Sequence, residues 1–224
     1  MFRIKLCGLT RLEDVPGVVA AGADAVGLNF YPPSKRYVDL DRAAELTAAL
    51  PNEITRVGVF VNAEINAILA ACAACRLNYV QLHGDESPET ARKLQDALSG
   101  SARLIRALRL RDNPQVELEP YFAACQAVGV EFTALLIDAY QTGQYGGTGA
   151  TADWSAVGRW TTRPAIPLIL AGGLTPGNVA EAIANSRADG VDTAGGVEST
   201  PGRKDPALSR EFVQAARNAL DVMA

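Results

Sequence analysis

The sequence predicts an α/β protein folded as a single (β/α)8 barrel, a closed parallel barrel ringed by helices, over residues 1–224. Three observations predict it. Eight short apolar runs alternate with amphipathic segments from one end of the chain to the other, and that alternation favours a closed barrel over an open sheet. The apolar runs are nearly continuous instead of alternating, which marks strands buried on both faces. Eight units in 224 residues average 28 each, which suits a compact barrel with short loops.

The elements follow in order. Strand Phe2–Leu6 leads to helix Leu12–Ala21, and strand Ala25–Asn29 leads to helix Asp41–Leu50 through the proline-stiffened loop Tyr31-Pro-Pro-Ser-Lys-Arg36. Strand Arg56–Phe60 precedes helix Glu64–Cys75, whose second half is the alanine-rich run Ile68-Leu-Ala-Ala-Cys-Ala-Ala-Cys-Arg76. Strand Tyr79–Leu82 is followed by helix Pro88–Leu98, and strand Leu104–Leu108 by helix Pro120–Val128. Strand Ala134–Asp138 runs into the turn-rich stretch Gly143-Gln-Tyr-Gly-Gly-Thr-Gly149, which reads as a mobile active-site loop before helix Trp154–Arg159. Strand Leu168–Ala171 precedes helix Gly177–Asn185, and strand Gly190–Thr193 precedes helix Pro206–Met223.

Composition narrows the function. A net charge of −4 argues against a nucleic-acid or anionic-membrane surface. Arg3 and Lys5 interrupt the first apolar run, so no secretory leader is read, and no stretch has the ~20 apolar residues of a membrane span. A cytoplasmic protein with reduced thiols is expected. Cys72 and Cys75 read as small core residues of a helix, because a second ligand pair is missing. No metal and no cofactor are expected.

The last two strands each run into a Gly-Gly pair, Gly172-Gly173 and Gly195-Gly196. Glycine lets backbone N–H groups approach a ligand and tolerates unusual dihedrals. The loops after strands seven and eight of such a barrel commonly form a phosphate site, so these four glycines are read as a phosphate cradle. In a barrel the chemistry sits where strands end. Cys7 follows the first strand, and a thiol whose pKa falls toward working pH can act as a general base. Asp138 closes the run Ala134-Leu-Leu-Ile137, where desolvation would raise a carboxyl and make it a general acid. The Arg36 fork suits a substrate carboxylate. Lys5 and His83, the single histidine, are candidate substrate contacts.

Several segments together resemble the phosphoribosylanthranilate isomerase family. They are Lys5-Leu-Cys-Gly-Leu-Thr10, Ser34-Lys-Arg-Tyr-Val38, Val57-Gly-Val-Phe-Val-Asn62, Val80-Gln-Leu-His-Gly84, Gly146-Gly-Thr-Gly149 with Asp153-Trp154, Leu170-Ala-Gly-Gly-Leu174 and Gly196-Val-Glu-Ser199 with Lys204-Asp205. The resemblance implies an Amadori rearrangement of N-(5′-phosphoribosyl)anthranilate in tryptophan biosynthesis, with Asp138 as acid, Cys7 as base and Arg36 on the anthranilate carboxylate. It also implies a small phosphorylated substrate, no nucleic-acid or membrane partner, and a monomer. Two departures stand out. Ala194-Gly195 replaces the usual Ser-Ser, and Ala152 replaces an aromatic. A sugar-phosphate epimerase on the same barrel would need metal-binding histidines, and a pure binding barrel has no use for Cys7 and Asp138.

Overall fold

The computed structural model describes residues 1–110, 114–139, 154–160 and 165–223. The loop expected at Gly143–Gly149, and Ala152, lie outside the described residues. The strands are β1 Ile4–Cys7, β2 Ala25–Asn29, β3 Thr55–Phe60, β4 Tyr79–Leu82, β5 Arg103–Leu110, β6 Ala134–Ala139, β7 Leu168–Ala171 and β8 Gly190–Thr193. They pair in sequence order, all parallel, and β1 pairs β8 to close the barrel. The helices are α1 Val15–Ala20, α2 Leu40–Ala48, α3 Ile65–Cys75, α4 Pro88–Leu98, α5 Pro114–Ala127, α6 Trp154–Gly158, α7 Val179–Ser186 and α8 Pro206–Val222. The expected barrel is therefore present, with every expected strand and helix in its place. No helix among the described residues is long and apolar enough to cross a membrane.

Boundaries differ where proline and glycine act. The expected first helix is split into a 3₁₀ turn at Leu12–Asp14 and α1, whose first turn holds Pro16. Proline has no N–H to bond backward, so it suits a helix start. Pro120 was expected to open the fifth helix for the same reason. Pro114 opens it instead, and Pro120 sits inside. β1 extends to Cys7 because Gly8, with φ +78°, is the residue that turns the chain.

A feature absent from the sequence reading follows β8. A 3₁₀ turn at Gly195–Val197 leads into a two-stranded antiparallel hairpin, β9 Glu198–Thr200 and β10 Arg203–Lys204. Its turn is Pro201-Gly202 with Gly202 at φ +84°, the residue order of a type II turn. Asp205 then caps α8 by accepting from the Ala207 and Leu208 amides.

The apolar residues divide by strand parity. One set, including Ile4, Leu6, Val26, Leu28, Val80 and Leu135, packs outward with the helices. The other fills the barrel's interior: Phe2, Ala25, Val57, Tyr79, Ile105, Ala107, Ala134, Leu136, Ile169 and Ala171. Phe2 and Tyr79 meet edge to face at 5.6 Å amid these smaller side chains. Side chains alternate along a strand, and the inward faces also carry Lys5, Cys7, Gly27, Gln81, Asp138 and Asp192. The fold thereby delivers polar groups from four strands to the barrel's interior and mouth.

Candidate active site

Lys5 is the deepest of these groups and has no exposed side-chain surface. An ammonium so placed is costly unless paired and hydrogen-bonded. Its Nζ donates to Asp192 Oδ2 at 2.7 Å and to Gln81 Oε1 at 2.8 Å, joining β1 to β8 and β4. Burial disfavours the charge, but Asp192 and Cys7 outweigh it and hold Lys5 above its ordinary value. Lys5 was expected to touch substrate. It lies inside the barrel, beneath the mouth, with its donors turned to protein.

Cys7 stands one step higher on the same strand face. Gly27 on β2 makes room for it, since a Cβ there would lie 2.6 Å from the Cys7 Sγ and 3.0 Å from the Lys5 Cε. Burial pushes the Cys7 thiol up, and the cations of Lys5, Lys204 and Arg36 offset that only in part. Desolvation outweighs the surrounding positive charge, so the lowered pKa that would ready this thiol as a base near neutral pH is not found. Cys7 is also the one cysteine with partial exposure among the four, and Cys72, Cys75 and Cys125 are buried as expected of core residues. Burial pushes Cys72 to about 11.

Arg36 reaches the same mouth from the loop after β2. Asn29 accepts from the Tyr31 amide and Ser34 Oγ from the Arg36 amide, which folds the loop back over the barrel. The arginine stem lies on Gly8, where any Cβ would collide with its Cδ. Arg36 Nε and Nη2 donate to Glu198 Oε1 and Oε2 at 2.8 and 2.6 Å. Burial would raise the Glu198 carboxyl, but Arg36 and Lys204 outweigh it and hold it below the usual carboxylate range. Lys204 is itself buried, and its Nζ donates to Glu198 Oε1, to the Ala194 carbonyl and to the Cys7 carbonyl. The hairpin residues Glu198 and Lys204 therefore brace both Cys7 and Arg36.

Across the mouth, Asp138 Oδ2 lies 3.3 Å from His83 Nε2. The side chain of Asp138 keeps 30% of its surface exposed, so the end of β6 desolvates it only in part. His83 follows β4 and its Nδ1 faces Gln81 Nε2 at 3.0 Å. Arg106 donates to the Gly84 carbonyl and pairs with Glu86, which accepts from the Gly84 amide, so the backbone beside His83 is pinned.

The glycine turns also meet here. Gly172 and Gly173 are left-handed, with φ +90° and +66°, as the dihedral argument expects. Gly195 and Gly196 are not left-handed. Glycine at 196 is required by close approach, because a Cβ there would collide with the Leu174 carbonyl. Thr193 Oγ1 donates to that same carbonyl at 2.7 Å, drawing the β8 turn against the β7 turn. Asn178 ties the β7 turn by accepting from the Thr175 amide and donating to the Gly173 carbonyl. Sequence reasoning missed Gly27, Asp192, Glu198 and Lys204 as parts of the site. Period-two counting along the strands would have found Gly27 and Asp192.

A parallel eightfold barrel with a thiol, a carboxyl, an imidazole and a held guanidinium at the strand ends is an enzyme of the TIM-barrel class. The family model for N-(5′-phosphoribosyl)anthranilate isomerase matches residues 4–215, and the chain belongs to that family. It is 42% identical over 218 residues to the N-(5′-phosphoribosyl)anthranilate isomerase of Geotalea uraniireducens, covering 97% of this chain and 99% of that one. It is 46% identical to that of Myxococcus xanthus, covering 96% of each. Among solved structures, phosphoribosyl anthranilate isomerase from Thermotoga maritima superposes with a TM-score of 0.84 at 39% identity, over 97% of this chain and all of that one. A complex of the enzyme with reduced 1-(o-carboxyphenylamino)-1-deoxyribulose 5-phosphate superposes at 0.80 and 37% identity, over 97% of this chain and all of that one.

The upward shift of Cys7 has a direct readout. Alkylation of its thiolate by iodoacetamide, followed by peptide mass, should increase with pH and reach its midpoint above the ordinary thiol value of about 8.5. A midpoint below that value would contradict the dominance of burial.

Proposed function

We propose that this chain isomerises N-(5′-phosphoribosyl)anthranilate to 1-(2-carboxyphenylamino)-1-deoxyribulose 5-phosphate in tryptophan biosynthesis, by general acid and general base catalysis. The observation that carries the reading is the placement of Cys7 and Asp138 at the ends of β1 and β6 in one barrel mouth, in a chain of this family. Asp138 gives a proton to the ribose ring oxygen as the C1′–O bond breaks. The aryl amine supplies the electron pair, and C1′ becomes an iminium. The Cys7 thiolate removes the C2′ proton, and the resulting enolamine tautomerises to the aminoketose. Atoms balance: the ring oxygen gains the Asp138 proton while Cys7 takes the one on C2′, and in the tautomerisation the O2′ proton is lost as C1′ gains one.

The high thiol value fits this order of events. The nascent iminium adds a positive charge beside Cys7, which favours the thiolate at the step that needs it. Arg36 holds the anthranilate carboxylate with the guanidinium nitrogen that its bonds to Glu198 leave over, Nη1. The 5′-phosphate sits between Gly172, Gly173, Gly195 and Gly196, where two turns drawn together present backbone amides. Ala194 and Gly195 carry no hydroxyl, so the amides carry that contact. The same reading takes the chain as a cytoplasmic, monomeric, single-domain enzyme without cofactor or nucleic-acid partner. The net charge of −4 supports the absence of a nucleic-acid partner.

Cys7→Ala and Asp138→Asn should each lower kcat by roughly 10²–10⁴-fold while the reduced product analogue still binds, since general acid–base groups act in the transition state. Near-normal turnover in either variant, measured with substrate made in situ, would remove that residue from its role. Arg36→Met should instead raise KM strongly and change kcat less, because the carboxylate is held in ground and transition states alike. An unchanged KM would place the carboxylate elsewhere.

A further inference from the structure

The interior polar groups form one directed chain, and its direction can be deduced without seeing a hydrogen. Lysine has three donors and no acceptor. Lys5 Nζ lies 2.8 Å from one end of the Gln81 amide, so that end must be the oxygen, Oε1. The other end, 3.0 Å from His83 Nδ1, is then the NH₂ group, which can only donate. Nδ1 must therefore be a bare acceptor. In neutral imidazole the proton then sits on Nε2, which faces Asp138 Oδ2 at 3.3 Å. Each member fixes the next, from Asp192 through Lys5, Gln81 and His83 to Asp138.

We propose that Gln81 is a positioning residue that locks His83 in its neutral Nε2–H tautomer and so reserves the Asp138 proton for the substrate. This rests on the reading of Asp138 as the acid. An imidazolium would need a second proton on Nδ1, aimed at the N–H of Gln81, a donor facing a donor. His83 is thus barred from drawing the proton out of Asp138. Because Nε2–H donates to Oδ2, the acid proton belongs on the other oxygen, Oδ1. The lock removes a competing ion pair and fixes which oxygen delivers the proton.

The other charged groups around His83 are placed in keeping with this. Asp138 faces it from β6, and Arg109 on β5 pairs in register with Asp138. Arg106 on β5 and Glu86 after β4 are spent on each other and on the backbone at Gly84. Lys5 on β1 reaches it only through Gln81.

His83 is the single histidine, so its ring gives one unambiguous set of signals in the full-length, ¹⁵N-labelled protein. Long-range ¹H–¹⁵N correlation on the unliganded chain near pH 8 should show a bare Nδ1 and a protonated Nε2. An Nδ1–H tautomer, or a mixture of both, would overturn the proposal. Gln81→Glu offers Nδ1 an acceptor and should shift the ring toward imidazolium, raising its titration midpoint. That variant should lose at least about tenfold in kcat, with KM nearly held. Gln81→Leu should release the ring into mixed tautomers and lower kcat as well. Unchanged kcat in both variants would also overturn the proposal. The spectra need no substrate, so a failed isomerase reading would show as an inactive parent chain with the Nε2–H tautomer intact.

Discussion

A lysine with no solvent contact sits at the centre of this barrel, and the active-site mouth is arranged around its charge. Lys5 is tolerable inside the protein only because Asp192 supplies the counter-charge and Gln81 a second acceptor. Breaking a buried pair of this kind typically costs about 3–5 kcal/mol, so the two partners are fixed in place along with it. Two consequences follow upward from the pair. The charge lies beneath Cys7 and opposes the desolvation of the thiol. The orientation it imposes on Gln81 passes to His83 and on to Asp138. Cys7 and Asp138 stand on opposite sides of the mouth, yet both are linked to the same ammonium.

A second buried lysine closes the near side of the mouth. Lys204 binds the carbonyls at the ends of β1 and β8 together with the Glu198 carboxylate. Burial lowers its pKa against the pull of Glu198. Glu198 in turn grips the Arg36 fork, with the arginine stem lying across Gly8. The hairpin that carries Glu198 and Lys204 therefore acts as a brace. It holds the guanidinium beside the thiol and ties the end of β8 to the end of β1. Positioning of this sort is what converts a set of reactive groups into a catalyst, because small misplacements at the reacting atoms are costly.

The barrel was legible because burial on both faces leaves a plain mark, and strands β2, β4, β7 and β8 have the limits read from apolar runs alone. Cys7, Arg36, His83 and Asp138 were legible because a barrel's chemistry sits at strand ends. What escaped were the supports. Gly27 looks like any strand glycine until the Cys7 sulfur is placed against it. Glu198 and Lys204 lie past the last strand, and only the folded hairpin turns them back. Asp192 sits inside a strand, where a polar residue reads as an interruption of an apolar run and not as part of a site. The direction of the Cys7 shift was not legible, because sequence does not show the depth of burial. The start of α5 was displaced because two prolines six residues apart, Pro114 and Pro120, both fit a helix start, and only the first takes that place.

The dependence of the Cys7 thiol on the buried ammonium can be measured without turnover. The comparison is the pH midpoint of Cys7 alkylation in the parent chain and in Lys5→Met combined with Asp192→Asn, which removes the pair without stranding a buried charge. Circular dichroism would confirm that the barrel persists. Removing Lys5 takes away a larger influence on the thiol than removing Asp192, whose charge acts the other way, so the midpoint should rise further. An unchanged or lower midpoint would show that Lys5 does not govern the thiol.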